Sequence, residues 1–401
     1  MKNLPDHTNC VGCGICLEVC PTNCLSFYED AEGFRQINAD KDLCIGCNKC
    51  ERSCPVLCDE KFNNYNRQDI NVYACQHIDK DILNRSSSGG FFSALCETLF
   101  NLYPGKVTIY GASLQKDLSV KHIGVSSIEE LALIRGSKYL QSDITPILAS
   151  LKEKLRKEEF VLFSGTPCQI AALYSFLKDT YPTLYTCEVI CHGIPSSLHF
   201  RKQNEYLEKK EKAKVSDVNF RSKSICWTIP TTQYRFIDGK VRYYRALENN
   251  FMSSFYGGTN LRLSCYGCKY ARIPRMADIT MGDFWKIGKS ACFSFMDKEK
   301  GISLVLCNND KGKFLFESAK YLLKFEPRKI EEAIRGNVHL IQPVKNKNIQ
   351  RERLLSDIKL SAMDKIVRKY DKLSFRKRLS IIMGRRGMKT YYYLKNIRHI
   401  R

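Results

Sequence analysis

The first 60 residues contain a repeated set of cysteines whose spacing suits iron-sulfur chemistry. Each repeat follows the pattern Cys-x2-Cys-x2-Cys-x3-Cys-Pro, and the second repeat is displaced from the first by 34 residues. In this pattern three closely spaced thiolates hold one 4Fe-4S cluster, and the fourth thiolate reaches the cluster of the other repeat. We therefore expect two clusters: cluster one held by Cys10, Cys13, Cys16 and Cys54, and cluster two held by Cys44, Cys47, Cys50 and Cys20.

Zinc is the alternative to this interpretation, because four-cysteine zinc sites also use Cys-x2-Cys pairs. A third cysteine and a fourth before proline, present in both repeats, favour the 4Fe-4S pattern. Cys24 and Cys58 also recur, but we expect them not to ligate because eight thiolates already complete two clusters. Gly12, Gly14 and Gly46 lie between the ligands and allow the backbone to curl, so that amide N–H groups can point at sulfur.

Other cysteines are spread along the rest of the chain. Soft ligands from separate segments can close a third 4Fe-4S cluster, but free cysteines are often only small buried residues. The candidate third site comprises Cys168, Cys191, Cys265 and Cys268, with Cys187 as an alternative ligand. The cysteines that stand singly in apolar contexts, and that we predict to be core residues, are Cys75, Cys96, Cys226, Cys292 and Cys307.

One-electron clusters connect naturally to two-electron chemistry through a flavin, so a cofactor site is expected elsewhere in the chain. No Gly-x-Gly-x-x-Gly motif follows a strand, so the sequence does not support a Rossmann site. Three serines and two glycines at 86–90 precede an apolar helix and offer an anion site at its start, although a plain N-cap explains them nearly as well. The candidate anion-binding residues in this loop and in two similar loops are Ser88, Gly89, Gly90, Gly136, Ser137, Lys138, Tyr139, Gly165 and Thr166.

The elements that position these residues follow from local patterns. Between the cysteine repeats, 25–29 and 34–37 flank a turn with glycine, which predicts a hairpin. Short apolar runs then alternate with helical patterns, which predicts a mixed α/β core. The predicted strands are 71–75, 106–112, 159–163, 215–221, 231–237 and 240–244, and the predicted helices are 90–101, 144–157 and 169–177. A hairpin turn is predicted at Asp238-Gly239.

These patterns divide the chain into four parts. We expect a ferredoxin module at 1–62, the two parts of an α/β domain at 63–150 and 151–330, and a basic, mainly helical tail at 331–401. The segment 63–69 is polar and is predicted to be a linker. The first 20 residues contain cysteines and charges instead of an apolar signal, so we expect a cytoplasmic protein with ligating cysteines and no disulfides.

Most of the net charge of +22 comes from the carboxy-terminal segment. Residues 341–401 contain 18 Lys and Arg against 4 Asp and Glu, a net +14. Together with recurring apolar pairs, this charge suits an amphipathic helix on an anionic surface, either a membrane or an acidic protein, although a solvated tail is the simpler alternative. Specific nucleic-acid binding gains no support from the rest of the chain.

Several ordered motifs, together with the ferredoxin module, resemble the coenzyme F420 hydrogenase/dehydrogenase beta-subunit family over about residues 1–325. The motifs are Ser88-Gly89-Gly90, Arg135-Gly136-Ser137-Lys138-Tyr139, Gly165-Thr166-Pro167-Cys168-Gln169, Cys191-His192-Gly193-Ile194-Pro195-Ser196, and Cys265-Tyr266-Gly267-Cys268 through Asp278-Ile279-Thr280-Met281-Gly282-Asp283-Phe284-Trp285. The resemblance implies FAD beside a third cluster at Cys168, Cys191, Cys265 and Cys268, with FAD contacts at 88–90 and 136–139. In this interpretation Lys138 neutralises flavin or phosphate charge, and Asp278 and Asp283 hold ribityl or ribose hydroxyls.

One departure from the family is Lys286, which stands after Trp285 where the family often has glycine. We expect Lys286 to alter the approach to the flavin face. Members with a ferredoxin module and a basic tail also resemble proteins from bacterial polysaccharide-synthesis loci, whose hosts need not make coenzyme F420. The substrate therefore stays open.

We expect an FAD- and 4Fe-4S-dependent oxidoreductase that exchanges single electrons with a redox partner and two electrons with a small organic substrate or a deazaflavin. The alternative is an electron-transfer subunit without substrate chemistry of its own, docked to a separate enzyme. His192, beside Cys191, is a candidate proton donor, although a lone histidine is more often only hydrogen-bonded. The sequence identifies no catalytic acid or base.

Overall fold

The computed structural model describes residues 4–59, 69–289, 292–293, 297–345 and 347–370. Its amino-terminal module contains helix α1 (Ile15–Glu18), the hairpin strands β1 (Leu25–Glu29) and β2 (Arg35–Ala39), and helix α2 (Lys49–Arg52). The two strands pair antiparallel, which confirms the predicted hairpin. Asp30 shapes the turn, because its Oδ1 accepts hydrogen bonds from the amides of Glu32 and Phe34, each at 2.9 Å.

The remaining strands and helices follow the predicted α/β alternation. The strands are β3 (Asn71–His77), β4 (Val107–Leu114), β5 (Val120–Val125), β6 (Ser142–Asp143), β7 (Phe160–Gly165), β8 (Leu184–Val189), β9 (Val215–Ser222), β10 (Thr231–Phe236), β11 (Val241–Arg245), β12 (Ile279–Asp283), β13 (Ser303–Cys307) and β14 (Leu323–Arg328). The helices are α3 (Lys80–Arg85), α4 (Phe91–Leu102), α5 (Leu131–Ile134), α6 (Thr145–Arg156), α7 (Pro167–Leu177), α8 (Ser197–Glu211), α9 (Asn250–Gly257), α10 (Asp310–Ala319), α11 (Ile330–Gly336), α12 (Asn348–Leu360) and α13 (Met363–Tyr370).

Nine of the described strands form one mixed sheet in the order β14-β3-β13-β12-β8-β7-β4-β5-β6. The central strands β12, β8, β7 and β4 are parallel. Strands β13, β3 and β14 are antiparallel additions on one side. Because the carboxyl ends of parallel strands share one edge of a sheet, the loops after β7 and β8 lie together. These loops carry Cys168 and Cys191.

Apolar helices cover both faces of this sheet. On one face α4 and α10 pack against the strands, with Leu162 of β7 among the buried residues. On the other face α6 and α7 pack against the neighbouring Val161 and Phe163, as the alternation of side chains along a strand requires. Ile15 of α1 is fully buried in this second core. The amino-terminal module is therefore attached by apolar packing.

A second sheet of three antiparallel strands, β11-β10-β9, lies beside the large one in the described structure. Its β10–β11 connection is the predicted Asp238-Gly239 hairpin, in which Gly239 has a φ of 81°. Helices α8 and α9 bury Phe200, Phe251 and Phe255 against it. This second layer supplies the residues that close the site described below.

The carboxy-terminal segment is part of the fold as far as Tyr370, contrary to the interpretation of 331–401 as a tail. Leu354, Leu355 and Ile358 of α12 are buried in one cluster with Phe34 of the β1–β2 hairpin. In the sequence these apolar residues are scattered among charges, because the surface that covers them comes from distant segments. Residues 371–401, with the apolar group at 381–383, lie outside the described residues, as does most of the predicted linker.

Four of the five cysteines predicted as core residues are buried, but Cys292 is exposed. It follows β12 in a connecting segment instead of a strand, so the prediction for this residue is wrong. Cys187 is fully buried in β8 within the sheet core. No helix in the described ranges is long and apolar enough to cross a membrane.

Candidate iron-sulfur and cofactor sites

Cluster one has its four predicted ligands close together in the structure. The thiol of Cys13 interacts electrostatically with those of Cys16, Cys10 and Cys54. The amide of Gly12 donates to Cys10 Sγ at 3.4 Å, which is the predicted N–H to sulfur contact. Gly12 has a φ of 66°, a left-handed conformation that glycine adopts freely. The loop is therefore shaped to surround a cluster.

Cluster two differs from cluster one in its exposure. Cys20, Cys44, Cys47 and Cys50, its predicted ligands, line one small cavity. A Cβ on Gly46 in this loop would meet nothing within 4 Å, whereas one on Gly12 would lie 2.7 Å from Gln141 of the α/β core. The predicted ligands of cluster two therefore lie at the outer end of the module, and those of cluster one at the inner end.

The two extra cysteines of the repeats differ in position. Cys24 lies on the wall of the cluster-two cavity, with its Sγ 3.4 Å from that of Cys20. Cys58 lies away from this cavity and its Sγ contacts the carbonyl of Arg52 at 3.5 Å. The eight cysteines of the predicted ligand sets group as the repeat requires.

The candidate third site is assembled from three distant segments. Its cavity of about 40 Å³ is lined by Cys168, Cys191, Cys265 and Cys268. Cys168 lies at the amino end of α7, and Cys191 lies just after β8 at the same sheet edge. The amide of Ile194 donates to Cys265 Sγ at 3.3 Å. Cys187 does not line this cavity.

The charges around the third site suit a polynuclear cluster with thiolate ligands. Arg262 and Arg275 both line the cavity and place positive charge beside the thiols. The four thiols line one cavity, so they are placed to share a single cluster as a 4Fe-4S site requires.

A cavity of about 610 Å³ lies next to the third site. This volume is in the range of small-molecule and cofactor sites. Residues 191–194 and His339 line both this cavity and the third site. The predicted cofactor-binding residues on its wall are Ser88, Gly90, Gly136, Ser137, Lys138, Tyr139, Gly165, Thr166 and Asp283.

The serine loop at 86–88 is not a simple N-cap, which was the alternative interpretation of its sequence. The N-cap of α4 is Gly90, with a φ of 87° and no side-chain cap. Ser88 Oγ donates to the Ile302 carbonyl at 3.0 Å, and Ser87 Oγ accepts from the Ser137 amide at 2.9 Å. The start of this 12-residue helix therefore keeps its positive end toward the cavity, which suits a phosphate.

Three basic side chains near this wall have a pKa lowered mainly by burial. Lys138 donates to the Arg135 carbonyl at 2.9 Å, and burial lowers its pKa to about 7. Burial also lowers the pKa of Lys223, which binds the Ser88 carbonyl at 2.5 Å, to about 7. His122 lies between Ser142 Oγ and the Ser164 carbonyl, and burial lowers its pKa to about 4. Lys223 and His122 lie outside the motifs that the sequence displays, so their positions near the cavity could not be predicted.

Two predicted cofactor residues lie away from the cavity wall. Asp278 is buried and accepts hydrogen bonds from the amide and hydroxyl of Thr186, so it holds β8 to β12. A Cβ on Gly89 would lie 2.3 Å from the Cys75 carbonyl oxygen. Because glycine has no Cβ, Gly89 allows two backbone segments to approach closely. Asp283 does line the cavity, where its Oδ1 accepts from Trp227 Nε1 at 2.7 Å.

Lys286, the departure from the family pattern, is exposed and does not line the cavity. Its Nζ donates to the Arg335 carbonyl at 3.2 Å. Its φ is 61°, so this position requires the left-handed conformation that a glycine would adopt without strain. The position of the Lys286 side chain therefore does not support the expectation that this residue alters the approach to the flavin.

The wall shared by the third site and the large cavity contains a histidine pair. His192 Nδ1 and His339 Nε2 are 3.0 Å apart, and His192 Nε2 lies 2.9 Å from the Phe255 carbonyl oxygen. Burial, followed by the charge of His339, lowers the pKa of His192 to about 4. No local signal predicts this pairing, since the two histidines are 147 residues apart.

The fold and the cysteine sites define an iron-sulfur electron-transfer protein. Residues 9–58 match the 4Fe-4S dicluster domain, and residues 158–333 match the carboxy-terminal part of the coenzyme F420 hydrogenase/dehydrogenase beta subunit. The chain therefore carries the two matches that the motifs predicted, a dicluster domain followed by the carboxy-terminal part of this beta-subunit family. That family is one of hydrogenase and dehydrogenase subunits.

Among solved structures, the chain is similar to one from a xenon-derivatised F420-reducing NiFe hydrogenase complex of Methanosarcina barkeri. The identity is 18% and the TM-score 0.43, over 76% of this chain and 94% of that one. No curated protein matches the chain.

Proposed function

We propose that the chain is an FAD- and 4Fe-4S-dependent oxidoreductase with three clusters. The observation that carries this proposal is the shared wall: residues 191–194 and His339 line both the four-cysteine third site and the large cavity. A cluster and a flavin in these two places would be separated only by that wall. Cluster one, packed against the same core, would connect the third cluster to the outer cluster two.

The positions of the charged and polar groups on the cavity wall suit a flavin dinucleotide. The start of α4, Ser137 and Lys138 provide donors and positive charge for phosphates. The wall also carries aromatic side chains, those of Tyr139, Phe255 and Trp285. When bound, the flavin would exchange two electrons with a substrate and single electrons with the clusters. Two successive one-electron transfers then balance each two-electron turnover.

The substrate class that fits is a small organic molecule or a deazaflavin of the coenzyme F420 type, and the one-electron partner is a redox protein. The family supports the deazaflavin, while the resemblance to polysaccharide-synthesis proteins supports a different organic substrate. The competing function is an electron-transfer subunit that binds a separate enzyme and has no flavin of its own.

Anaerobically reconstituted protein tests these proposals. We expect about 12 Fe per chain and release of FAD on denaturation. Cys268→Ser should reduce iron to about 8 per chain, while Cys226→Ser, at a buried cysteine away from the candidate cluster sites, should leave it unchanged. Unchanged iron in Cys268→Ser would remove the third cluster. Full iron without any flavin would favour the electron-transfer subunit.

A further inference from the structure

The segment after Cys268 joins the third site to the amino-terminal module. Lys269 Nζ donates to the Val56 carbonyl at 3.3 Å. Arg272 and Asp59 form an ion pair at 3.3 Å. Both contacts reach the part of the module that follows Cys54, a ligand of cluster one. The two residues between these anchors, Tyr270 and Ala271, are therefore held at the junction of the two cluster sites.

Tyr270 occupies this junction and is buried, with 3% of its surface exposed. Its ring belongs to the apolar cluster that also includes Ile15 and contacts Cys13, Cys168 and Cys268. These cysteines come from both sites: Cys13 from cluster one, and Cys168 and Cys268 from the third site. Tyr270 therefore belongs to a packed cluster that both ligand sets contact, and it also lines the cavity of the third site.

The hydroxyl of Tyr270 has no hydrogen-bond partner among the described residues. Buried tyrosine hydroxyls normally have one, and an unmade hydrogen bond is unfavourable. The hydroxyl of the equally buried Tyr234, for example, accepts from Asn249 Nδ2 at 2.9 Å. The groups that interact electrostatically with the Tyr270 hydroxyl are, in order of strength, Cys168, Cys13, Asp59 and Cys54. Because Asp59 is already paired with Arg272, the acceptors that this position suggests are sulfur atoms, that of Cys168 first.

We propose that the Tyr270 hydroxyl donates a hydrogen bond to a sulfur atom of the third cluster and so raises the reduction potential of that cluster. A donor near cluster sulfur stabilises the reduced state, which carries one more negative charge. Tyr270 is thus a positioning residue that tunes the centre that would exchange electrons with cluster one. The inference rests on the third cluster of the proposed function.

The test compares Tyr270→Phe with Tyr234→Phe in the reconstituted full-length protein. Both changes remove only a buried hydroxyl, but Tyr234 lies in the small sheet away from the cluster ligands. Redox titration followed by EPR gives a midpoint potential for each cluster. The signal of the third cluster is the one that Cys268→Ser removes. We expect Tyr270→Phe to move that midpoint to a more negative potential and Tyr234→Phe to leave it unchanged, with iron content equal in both.

The other outcomes are decisive. A shift confined to cluster one would overturn the assignment to the third cluster, and equal midpoints in both variants would overturn the hydrogen bond altogether. If Cys268→Ser loses no iron and no signal, the third cluster itself fails, and this failure is seen without any Tyr270 variant. A shift of equal size in Tyr234→Phe would show a general effect of altered packing and would also overturn the proposal.

Discussion

Arg262 Nε donates to the carbonyl oxygen of Cys10 at 2.7 Å, so a core residue binds the first cysteine of the ferredoxin repeat directly. The same guanidinium donates to the Arg35 carbonyl at 2.7 Å and to Gln36 Oε1 at 3.2 Å. Arg262 is 1% exposed. One buried side chain therefore holds both the cluster-one loop and the β1–β2 hairpin against the α/β core.

Arg262→Ala should destabilise the protein by roughly 3–5 kcal/mol, because the Cys10 and Arg35 carbonyls and Gln36 Oε1 all lose this donor. The control is Arg242→Ala, which removes an exposed ion pair with Glu211 and should cost less than about 1 kcal/mol. Anaerobic urea unfolding measures both. Similar small losses in the two variants would show that Arg262 does not hold the module.

Truncation after Gln342 should lower the unfolding temperature relative to a protein that ends at Tyr370. The shorter protein loses α12 and α13, exposes Phe34, and removes Arg351, whose Nε donates to the Leu261 carbonyl at 2.7 Å and whose guanidinium pairs with Glu32. Burial of such apolar side chains contributes about 1.5–3 kcal/mol each. Thermal unfolding and iron analysis of both truncations check this, and an unaffected shorter protein would contradict it.

The elements that could be predicted from sequence are those whose signals are local. The Asp238-Gly239 turn, the apolar periodicity of α6 and the cysteine repeat each depend on residues close together in the chain. Strand β13 was missed because all five of its residues are buried, so it has no alternation of apolar and polar side chains. The antiparallel strands beside the parallel ones also depend on long-range pairing.

The same distinction between local and long-range signals explains which parts of the candidate sites could be predicted from the sequence. Cysteine spacing within one repeat identifies a ligand set, but the grouping of Cys168 with Cys265 depends on how the sheet edge and the second layer meet. Arg262 and Tyr270 belong to no motif, and their roles arise from contacts with the amino-terminal module. The bond from Arg262 to Cys10 spans 252 residues. Only the folded structure brings such pairs together.

Ile45→Lys should slow electron exchange with a protein donor such as a small ferredoxin, without changing iron content. Ile45 is 68% exposed in the cluster-two loop, beside Leu43 at 52%, and the pair forms an apolar surface at the outer cluster. Ile237→Lys is the matched control, since Ile237 is 70% exposed on the β10–β11 hairpin. Stopped-flow reduction measures the rate. Equal rates in the two variants would place the docking surface elsewhere.

Acidification should destabilise the protein through His199. Burial lowers the pKa of this side chain to about 3, against 6.5 for an exposed histidine. The unfolded chain therefore binds the proton first, so the stability is present above pH 6.5 and is lost as the pH falls toward 3. Each pH unit below the unfolded pKa should cost about 1.4 kcal/mol.

His199→Gln should make the loss between about pH 7.5 and about pH 5.5 smaller by about 1.4 kcal/mol, because only about one unit of this range lies below the ordinary histidine pKa. Urea unfolding at the two pH values gives the comparison. An identical pH dependence in wild type and His199→Gln would show that other groups account for acid sensitivity.

The bond between Arg351 and Glu32 joins residues 319 positions apart, and this has a consequence for synthesis on the ribosome. Proteins fold from the amino-terminal end as the chain emerges. Every cysteine of the ferredoxin repeat is translated long before Arg351 exists, so the module spends most of translation without the helices that cover Phe34. Its hairpin face is open to chaperones and cluster-delivery proteins during that interval. It closes only when the last helices of the described fold have been made.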